Sequence, residues 1–312
     1  MDALTGLLNG PRARGAFLLR ASMDPPWCLR VEDRAPLTLV ALMRGEALAV
    51  AAGGDAVQLG PGGVAIMRGP EPYTMADSPT TPVQAVIHPG QRCTTPGGEP
   101  LRQAMDQGVR TWGNSPDGTT MMLIGTYAMV GEISQRLLEA LPAMLVLRED
   151  AWETPLIALL GAEIVRDEPG QEVILDRLLD LLLIAVLRAW FARPEAEAPT
   201  WYRALSDPVV GPAVRMLHNN PEHPWTVATL ATKIGVSRAA LARRFHELVG
   251  DPPMTYLTNW RLDLAADLLL EEDTTVGAVA RQVGYGSPFA LSTAFKRVRG
   301  ISPQQHRAAS PT

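Results

Sequence analysis

The chain has 312 residues, 46% hydrophobic and 20% charged, which is enough apolar side chain for real cores and too little charge for a disordered polymer. That length corresponds to two domains, or three. The formal net charge of −5 excludes a globally basic nucleic-acid binder but not a local basic domain: residues 1–203 carry 17 Lys and Arg against 24 Asp and Glu, residues 204–312 carry 11 against 9.

The opening Met1-Asp2-Ala3-Leu4-Thr5-Gly6 has no basic run ahead of an apolar core, so no signal peptide is expected. Residues 17–130 read as β-structure. Short apolar runs at 37–43, 47–52, 56–59, 64–67, 83–87 and 121–127 alternate with turn signals such as Gly53-Gly54-Asp55 and Gly60-Pro61-Gly62-Gly63. Many short strands at close spacing suggest a sandwich or barrel. Alternation along the strands predicts Leu39, Ala41, Met43, Ile66 and Val86 on the inward side, either lining a mainly apolar pocket or filling a barrel core. Met43 and Met67 are adaptable lining residues. Residues 101–118 read as a long polar excursion.

Cys28 and Cys93 are the two cysteines of the chain, which excludes a disulfide scaffold and a four-cysteine zinc site. They are read either as inert reduced thiols or as redox-sensitive ones, Arg92 lowering the pKa of Cys93 in the second case. From Glu132 the pattern turns helical, with helices expected over 135–141, 155–167 and 172–192. The last is apolar at Leu175, Leu178, Leu179, Leu182, Val186 and Leu187, and Leu181, Leu183 and Ile184 extend that surface almost round the cylinder. Such a helix has to be covered on most sides, by its own subunit or also by its twin in a homodimer. Its longest uncharged run is the seven residues 181–187, far short of the ~20 of a membrane span, so a cytoplasmic protein without membrane contact is expected. Arg193-Pro194-Glu195-Ala196-Glu197-Ala198-Pro199 reads as a linker.

The last third contains an internal repeat. At an offset of 49, Thr226/Thr275, Val227/Val276, Leu230/Val279, Ala231/Ala280, Ile234/Val283 and Gly235/Gly284 correspond; at 50, Ser237/Ser287, Leu241/Leu291, Phe245/Phe295, Gly250/Gly300 and Pro253/Pro303 do. A one-residue slip at a turn is what a duplicated unit tolerates. In each copy a Thr caps a short helix, a Gly permits the turn, a Ser caps a second helix and a Gly ends it. This is a helix-turn-helix, twice. The inner faces are Leu241, Phe245 and Leu248, and Leu291, Phe295 and Val298. Opposite them lie Ala239, Arg243 and His246 with Ala242 on the shoulder, and Phe289, Thr293 and Lys296 with Ser292 on the shoulder, flanked by Arg238, Arg244, Arg297 and Arg299. A helix exposing Arg among small residues can enter a DNA major groove. Between the copies residues 254–271 read as one helix with a core stripe at Leu257, Trp260, Leu264 and Leu268. A stiff connector would set the distance between two recognition helices, and successive major-groove entries lie ~34 Å apart.

Residues 205–308 resemble the DNA-binding domain of the AraC/XylS family of bacterial transcription regulators. The matching text includes Trp225-Thr226-Val227-Ala228-Thr229-Leu230-Ala231, Gly235-Val236-Ser237-Arg238, Leu241-Ala242-Arg243-Arg244-Phe245, Arg261-Leu262, Gly284-Tyr285, Phe295-Lys296 and Ser302-Pro303-Gln304-Gln305-His306-Arg307. His306 stands where the family usually has an aromatic residue. Carried over, the family's base-reading positions are Ala239, Ala242 and Arg243, and Phe289, Ser292 and Thr293. The second helix of the second unit lacks long polar readers, so that unit is expected mainly to hold phosphates. The N-terminal part resembles the family's cupin-type sensor domain at Asp55, Leu59, Pro61-Gly62-Gly63-Val64 and Arg68-Gly69-Pro70-Glu71-Pro72-Tyr73. Catalytic cupins hold a metal with histidines; here His88 is alone ahead of His218 and Tyr73 stands where relatives place a histidine, so no metal or cofactor is expected.

The fold class implied is multidomain α+β: a cupin-like β-barrel sensor over 1–150, a helical dimerisation segment and linker over 151–198, and an all-α double helix-turn-helix domain over 199–312. The function implied is a sequence-specific transcription regulator, an effector- or stress-responsive activator rather than an enzyme. Its partners would be double-stranded promoter DNA, a second copy of itself, RNA polymerase and a small-molecule effector. The DNA interface would comprise Arg238, Ala239, Ala242, Arg243, Arg244, His246, Phe289, Ser292, Thr293, Lys296 and Arg297, and the effector pocket Met43, Ile66, Met67, Tyr73 and Val86. Two rivals stand beside this reading. One is an enzyme with an appended DNA-binding domain, as in cysteine-based DNA-repair proteins whose metal site needs four cysteines. The other is an architectural DNA binder without regulatory input, which a sensor-sized domain of roughly 190 residues argues against.

Overall fold

The structure, a computed structural model, describes residues 17–127, 132–193, 200–271 and 274–309. The expectations for Met1-Asp2-Ala3-Leu4-Thr5-Gly6 and, beyond Arg193, for the linker at 194–199 lie outside the described residues. The chain divides into two compact units, one containing residues 11–129 and 138–196, the other residues 130–137 and 197–312.

The first unit is built on twelve strands: β1 (Phe17–Met23), β2 (Cys28–Val31), β3 (Leu37–Arg44), β4 (Ala47–Ala51), β5 (Val57–Leu59), β6 (Val64–Arg68), β7 (Tyr73–Ala76), β8 (Ala85–His88), β9 (Arg92–Thr94), β10 (Thr111–Trp112), β11 (Thr120–Tyr127) and β12 (Met144–Leu147). They form two six-stranded sheets, ordered β10-β1-β11-β3-β6-β12 and β5-β4-β7-β2-β8-β9. Each sheet ends in edge strands, so the expected closed barrel is an open pair of sheets. Closure needs every edge strand to find a partner, and among the described residues β5, β9, β10 and β12 each pair on one side. β12 falls in the stretch read as helical from Glu132 onward; its four residues Met-Leu-Val-Leu pair antiparallel with β6 and are too short to show a period.

The inward face of the first sheet also differs from the expectation. Val40, Leu42, Ala65, Met67 and Met122 belong to the core between the sheets. Strand alternation therefore turns Leu39, Ala41, Met43 and Ile66 to the other face. That face is apolar as well, because helices cover it. A sheet buried on both sides carries no alternation to read, and a one-residue error in phase reverses every side chain.

The covering helices are α2 (Leu156–Glu163) and α3 (Gln171–Phe191), which follow α1 (Glu132–Glu139). Tyr127 Oη donates to the Leu179 carbonyl at 2.9 Å. A Cβ on Gly125 of β11 would stand 2.7 Å from Leu179 Cδ1, and one on Gly161 of α2 would collide with Met43. The glycines thus let the helices lie close on the sheet. Leu175, Leu179, Leu182, Leu183, Val186, Leu187 and Phe191 are buried, while Leu178 is half-buried and Val173, Ile174 and Leu181 remain exposed, Leu181 by 50%. One side of α3 is therefore core and another is apolar and uncovered.

The second unit contains α4 (Thr200–Ala204), α5 (Val210–Asn219), α6 (Val227–Ile234), α7 (Arg238–Val249), α8 (Pro253–Leu269), α9 (Val276–Gln282), α10 (Pro288–Arg299) and α11 (Pro303–Ala309). The connector α8 does not bury one stripe. Tyr256 and Leu257 join the core around α5–α7, with Trp260 buried one turn on, whereas Leu262, Ala265, Ala266 and Leu269 join the core around α9 and α10. At 3.6 residues per turn these two sets sit roughly 180° apart on the helix, and Leu264 and Leu268 are only half-buried between them. His218 of α5 stacks on Trp260 at 4.0 Å and 4° and shares a 2.7 Å hydrogen bond with Tyr256 Oη, tying α5 to the first half of α8.

If Leu179 is the contact that seats α3 on the sheet, Leu179→Ala should cost about 2–5 kcal/mol, as other buried Leu truncations do. The check is urea unfolding of the first unit, where the midpoint should fall with the slope unchanged.

Candidate nucleic-acid interface

Each repeat is capped by its own side chains. Thr226 Oγ1 accepts from the Thr229 amide at 3.1 Å while the Thr226 amide donates back to Thr229 Oγ1 at 3.0 Å, a reciprocal box. Thr275, Ser237 and Ser287 accept from the amides of Ala278, Ala240 and Ala290, each at 3.1 Å. Such caps satisfy amides left unpaired at a helix start and contribute about 1 kcal/mol each. Gly250 and Gly300 close α7 and α10 in the left-handed conformation, at φ 93° and 76°. Gly284 is required twice over: its φ is 82°, and a Cβ there would sit 2.6 Å from Glu222 Cα.

Leu241 and Phe245, and Leu291 and Phe295, are fully buried under α7 and α10. Val298 is not: it is half exposed. Arg299 takes the inward place in that last turn, its guanidinium 2.7 Å from Asp263 and over the Phe295 ring at 5.4 Å. The outer faces hold what the helical period placed there. Ala239, Arg243 and His246 are exposed on α7 and Ala242 is half-buried; Phe289, Thr293, Lys296 and Arg297 are exposed on α10 and Ser292 is half-buried. Phe289 is 81% exposed, the most exposed large hydrophobic side chain among the described residues.

The basic side chains fall into two groups. Arg238, Lys296 and Arg297 are exposed, and Arg243 makes only a loose 3.8 Å pair with Glu247, worth little in water. Others are spent on the fold. Arg244 donates from Nε and Nη2 to Asp207 Oδ2 at 2.8 and 2.6 Å, and Asp207 Oδ1 accepts from the amides of Val209 and Val210 at the start of α5. Arg244, expected at the DNA face, is thus drawn back to α5. Arg261 donates to the carbonyls of Pro221 and His223, and Arg307 to those of Leu269 and Thr274. His306 meets Phe295 edge-on at 5.5 Å, so an imidazole does the packing of the usual aromatic. The sequence marks Asp207, ahead of a helix, as a cap, but nothing local names Arg244 as its partner; Asp263, mid-helix, carries no signal at all.

In the first unit a cavity of about 220 Å³ opens between the sheets. Of the expected pocket residues Tyr73 lines it. Met67 belongs to the same core but not to the cavity wall, Met43 and Ile66 face the other side of the first sheet, and Val86 shares the outward face of β8 with Arg30 of β2. Cys93 lines the cavity and Cys28 lies on the opposite face of its sheet, next to exposed Arg30, so the two thiols do not face each other. Burial pushes the Cys93 thiol up to about 11, and burial, with Asp77, raises Cys28. Arg92 does not activate Cys93, because adjacent residues of a strand point to opposite faces and Arg92 is the exposed one. Among the described residues no three His, Cys, Asp or Glu side chains gather as a metal-binding set, and no helix is long and apolar enough to cross a membrane.

Comparison with known proteins finds matches to both units of the chain. The Cupin family matches residues 2–192 and the Helix-turn-helix domain family residues 230–309. A putative AraC-like transcription regulator of Streptomyces antibioticus is 36% identical over 216 residues, 68% of this chain and 70% of that protein. One of Streptomyces lividans is 40% identical over 195 residues, 61% of this chain and 64% of that protein, so the match spans about two thirds of these relatives. The solved DNA-binding domain of AdpA, a global transcriptional factor in complex with a target DNA, is 38% identical, with 33% of this chain and 93% of that one covered and a TM-score of 0.31.

The hydrogen bonds from Arg244, together with those from the Val210 and Val209 amides, hold the Asp207 carboxyl down at about 2, below the ~3.9 of a free Asp. A depressed folded value stabilises above the unfolded pKa and is lost as pH falls through the folded one. Asp207→Asn, which keeps the cap but not the charge, should therefore lower the melting temperature at neutral pH, and the gap should narrow between about pH 4 and 2. Circular dichroism melts across pH check this; a gap that ignores pH assigns Asp207 to capping alone.

Proposed function

The chain belongs to the family of AraC-like transcription regulators, a cupin domain followed by a helix-turn-helix domain, and on that footing we propose that it binds promoter DNA sequence-specifically through α7 and α10. The observation that carries this is the pair of capped helices whose outward faces hold Arg243 and Phe289 while their inward faces are sealed in separate cores. Residues 199–312 form the DNA-binding domain, residues 1–150 the sensor, and residues 151–198 the helical dimerisation segment and linker. The relatives' names support a regulatory rather than a catalytic role, and cytoplasmic DNA is the proposed target. Activation through RNA polymerase and an effector in the sensor complete the reading.

The two units divide the work. Arg243 is the long polar group among small neighbours, suited to a bidentate contact with guanine. Ala239 and Ala242 let the helix approach, and His246 and Arg238 flank it. On α10, Lys296 and Arg297 hold phosphates, which adds salt-dependent affinity without sequence information. Ser292 and Thr293 are short donors, and Phe289 meets a thymine methyl.

Two outcomes follow. Arg243→Ala should cost about 1–3 kcal/mol on the operator and relax preference at one base position, whereas Lys296→Gln or Arg297→Gln should weaken all DNA alike and lower the salt slope by about 1. Binding to operator and random DNA across a salt series decides; equal loss on both DNAs for Arg243→Ala sinks its role. For assembly, the uncovered apolar side of α3 is the dimer surface. Light scattering of the full chain should give a dimer, and Leu181→Glu, at an exposed position, a monomer with an unchanged circular dichroism spectrum and a melting temperature that no longer depends on protein concentration. A wild-type monomer at tens of micromolar contradicts the dimer.

A further inference from the structure

We propose that the cavity between the two sheets is a binding site for a small apolar carboxylate, its hydrocarbon part among Leu29, Val40 and Ile124 and its anionic end held by Arg102 and Arg110 at the mouth. This deepens the sensor reading above and rests on it.

The wall is mostly apolar, adding Met75, Ile87 and Trp112 to those three, with the hydroxyls of Tyr73, Thr111 and Thr126 as its neutral polar groups. Cys93, buried and held protonated, behaves there as one more apolar group. At about 220 Å³ the space is below the ~300–1,000 Å³ typical of drug-sized ligands, so the occupant is small. An apolar body alone would bind without orientation; the few polar groups of a pocket fix its direction.

Besides those hydroxyls and the Gln91 amide, the charged groups are two arginines and two aspartates, Arg102, Arg110, Asp33 and Asp106. They are not equivalent. Asp33 Oδ1 accepts from the Ala35 amide and Asp106 Oδ1 from the Gly108 amide, both at 3.0 Å, so one oxygen of each carboxylate is tied to its own turn while its charge stays at the mouth, and the benzylamine arm of the test below decides whether that charge or the guanidinium charge governs. Among the described residues Arg102 and Arg110 form no ion pair; Arg110 feels Asp176 of α3 only at longer range. Unspent guanidinium donors facing a cavity match a carboxylate bidentately.

The backbone is held unfavourably at the same place. Among the described residues the non-glycine positions with positive φ are Arg34, Gln91 and Arg110, at 59°, 59° and 46°. Gln91 and Arg110 line the mouth and Arg34 follows Asp33. Such conformations persist where the surroundings enforce them and cluster at ligand clamps.

The test uses the full chain and named probes: benzoate, phenylacetate and hexanoate, each beside its amide, and benzylamine as the cation. Calorimetry and thermal shift should show saturable binding of at least one acid, with its amide about tenfold weaker or worse. Arg110→Gln and Arg102→Gln should each lose a similar factor for the acid and little for the amide. Val40→Phe, which fills the cavity, should abolish binding. No binding of any acid at millimolar concentration, equal binding of amide or benzylamine, or full affinity in both arginine variants overturns the proposal. Operator binding by the same preparations separates the readings: lost acid binding with intact operator binding removes this site alone, whereas a wild-type chain without operator preference removes the regulator reading.

Discussion

The geometry of the second unit depends on one helix that buries opposite faces at its two ends. α8 gives Tyr256 and Leu257 to the core of the first repeat and Leu262, Ala265, Ala266 and Leu269 to that of the second. Neither repeat is large enough to close a core without it, since a helix-turn-helix of two short helices has one apolar face and little area. With 17 residues, α8 is a rod of about 25 Å, and sharing it fixes the separation and relative direction of α7 and α10. The His218–Trp260 stack and the Arg299–Asp263 pair fasten its two halves to their separate cores.

That arrangement sorts the arginines. A guanidinium near a buried carboxylate or a helix-end carbonyl is held in place by several directed hydrogen bonds, and Arg244, Arg261, Arg299 and Arg307 are used so. The cations left on the outward faces of α7 and α10 have no comparable partner, so their charge stays available to a polyanion. Local charge excess is therefore a poor count of free cations here: Arg244, Arg261, Arg299 and Arg307 contribute to it while they hold helices in place.

The first unit solves a different problem. Its first sheet is apolar on both faces because one packs on the second sheet and the other on α2 and α3, with Gly125 and Gly161 allowing the helices to approach. Between the sheets, near β1, β10 and the 101–113 segment, lies the cavity, and the polar excursion of the sequence supplies Arg102, Asp106 and Arg110 to its rim.

The amino-acid sequence by itself determined the repeats, their caps and terminators, the outward positions on α7 and α10, the long α3 and the β-rich first unit. All of these rest on local rules: a Ser or Thr at a helix start, a Gly at φ near +80°, a period of 3.6 or 2. Tertiary structure alone decided the face of β3 and β6 that looks inward, the open edges of the sheets and the membership of β12. It also decided the fate of Arg244, Arg299 and Val298, the double allegiance of α8, and which side chains line the cavity. The reason is common to these. When a segment has apolar residues on more than one side, or a charge has partners distant in sequence such as Asp207 and Asp263, local pattern permits several arrangements of similar energy, and only simultaneous packing of all the elements selects one.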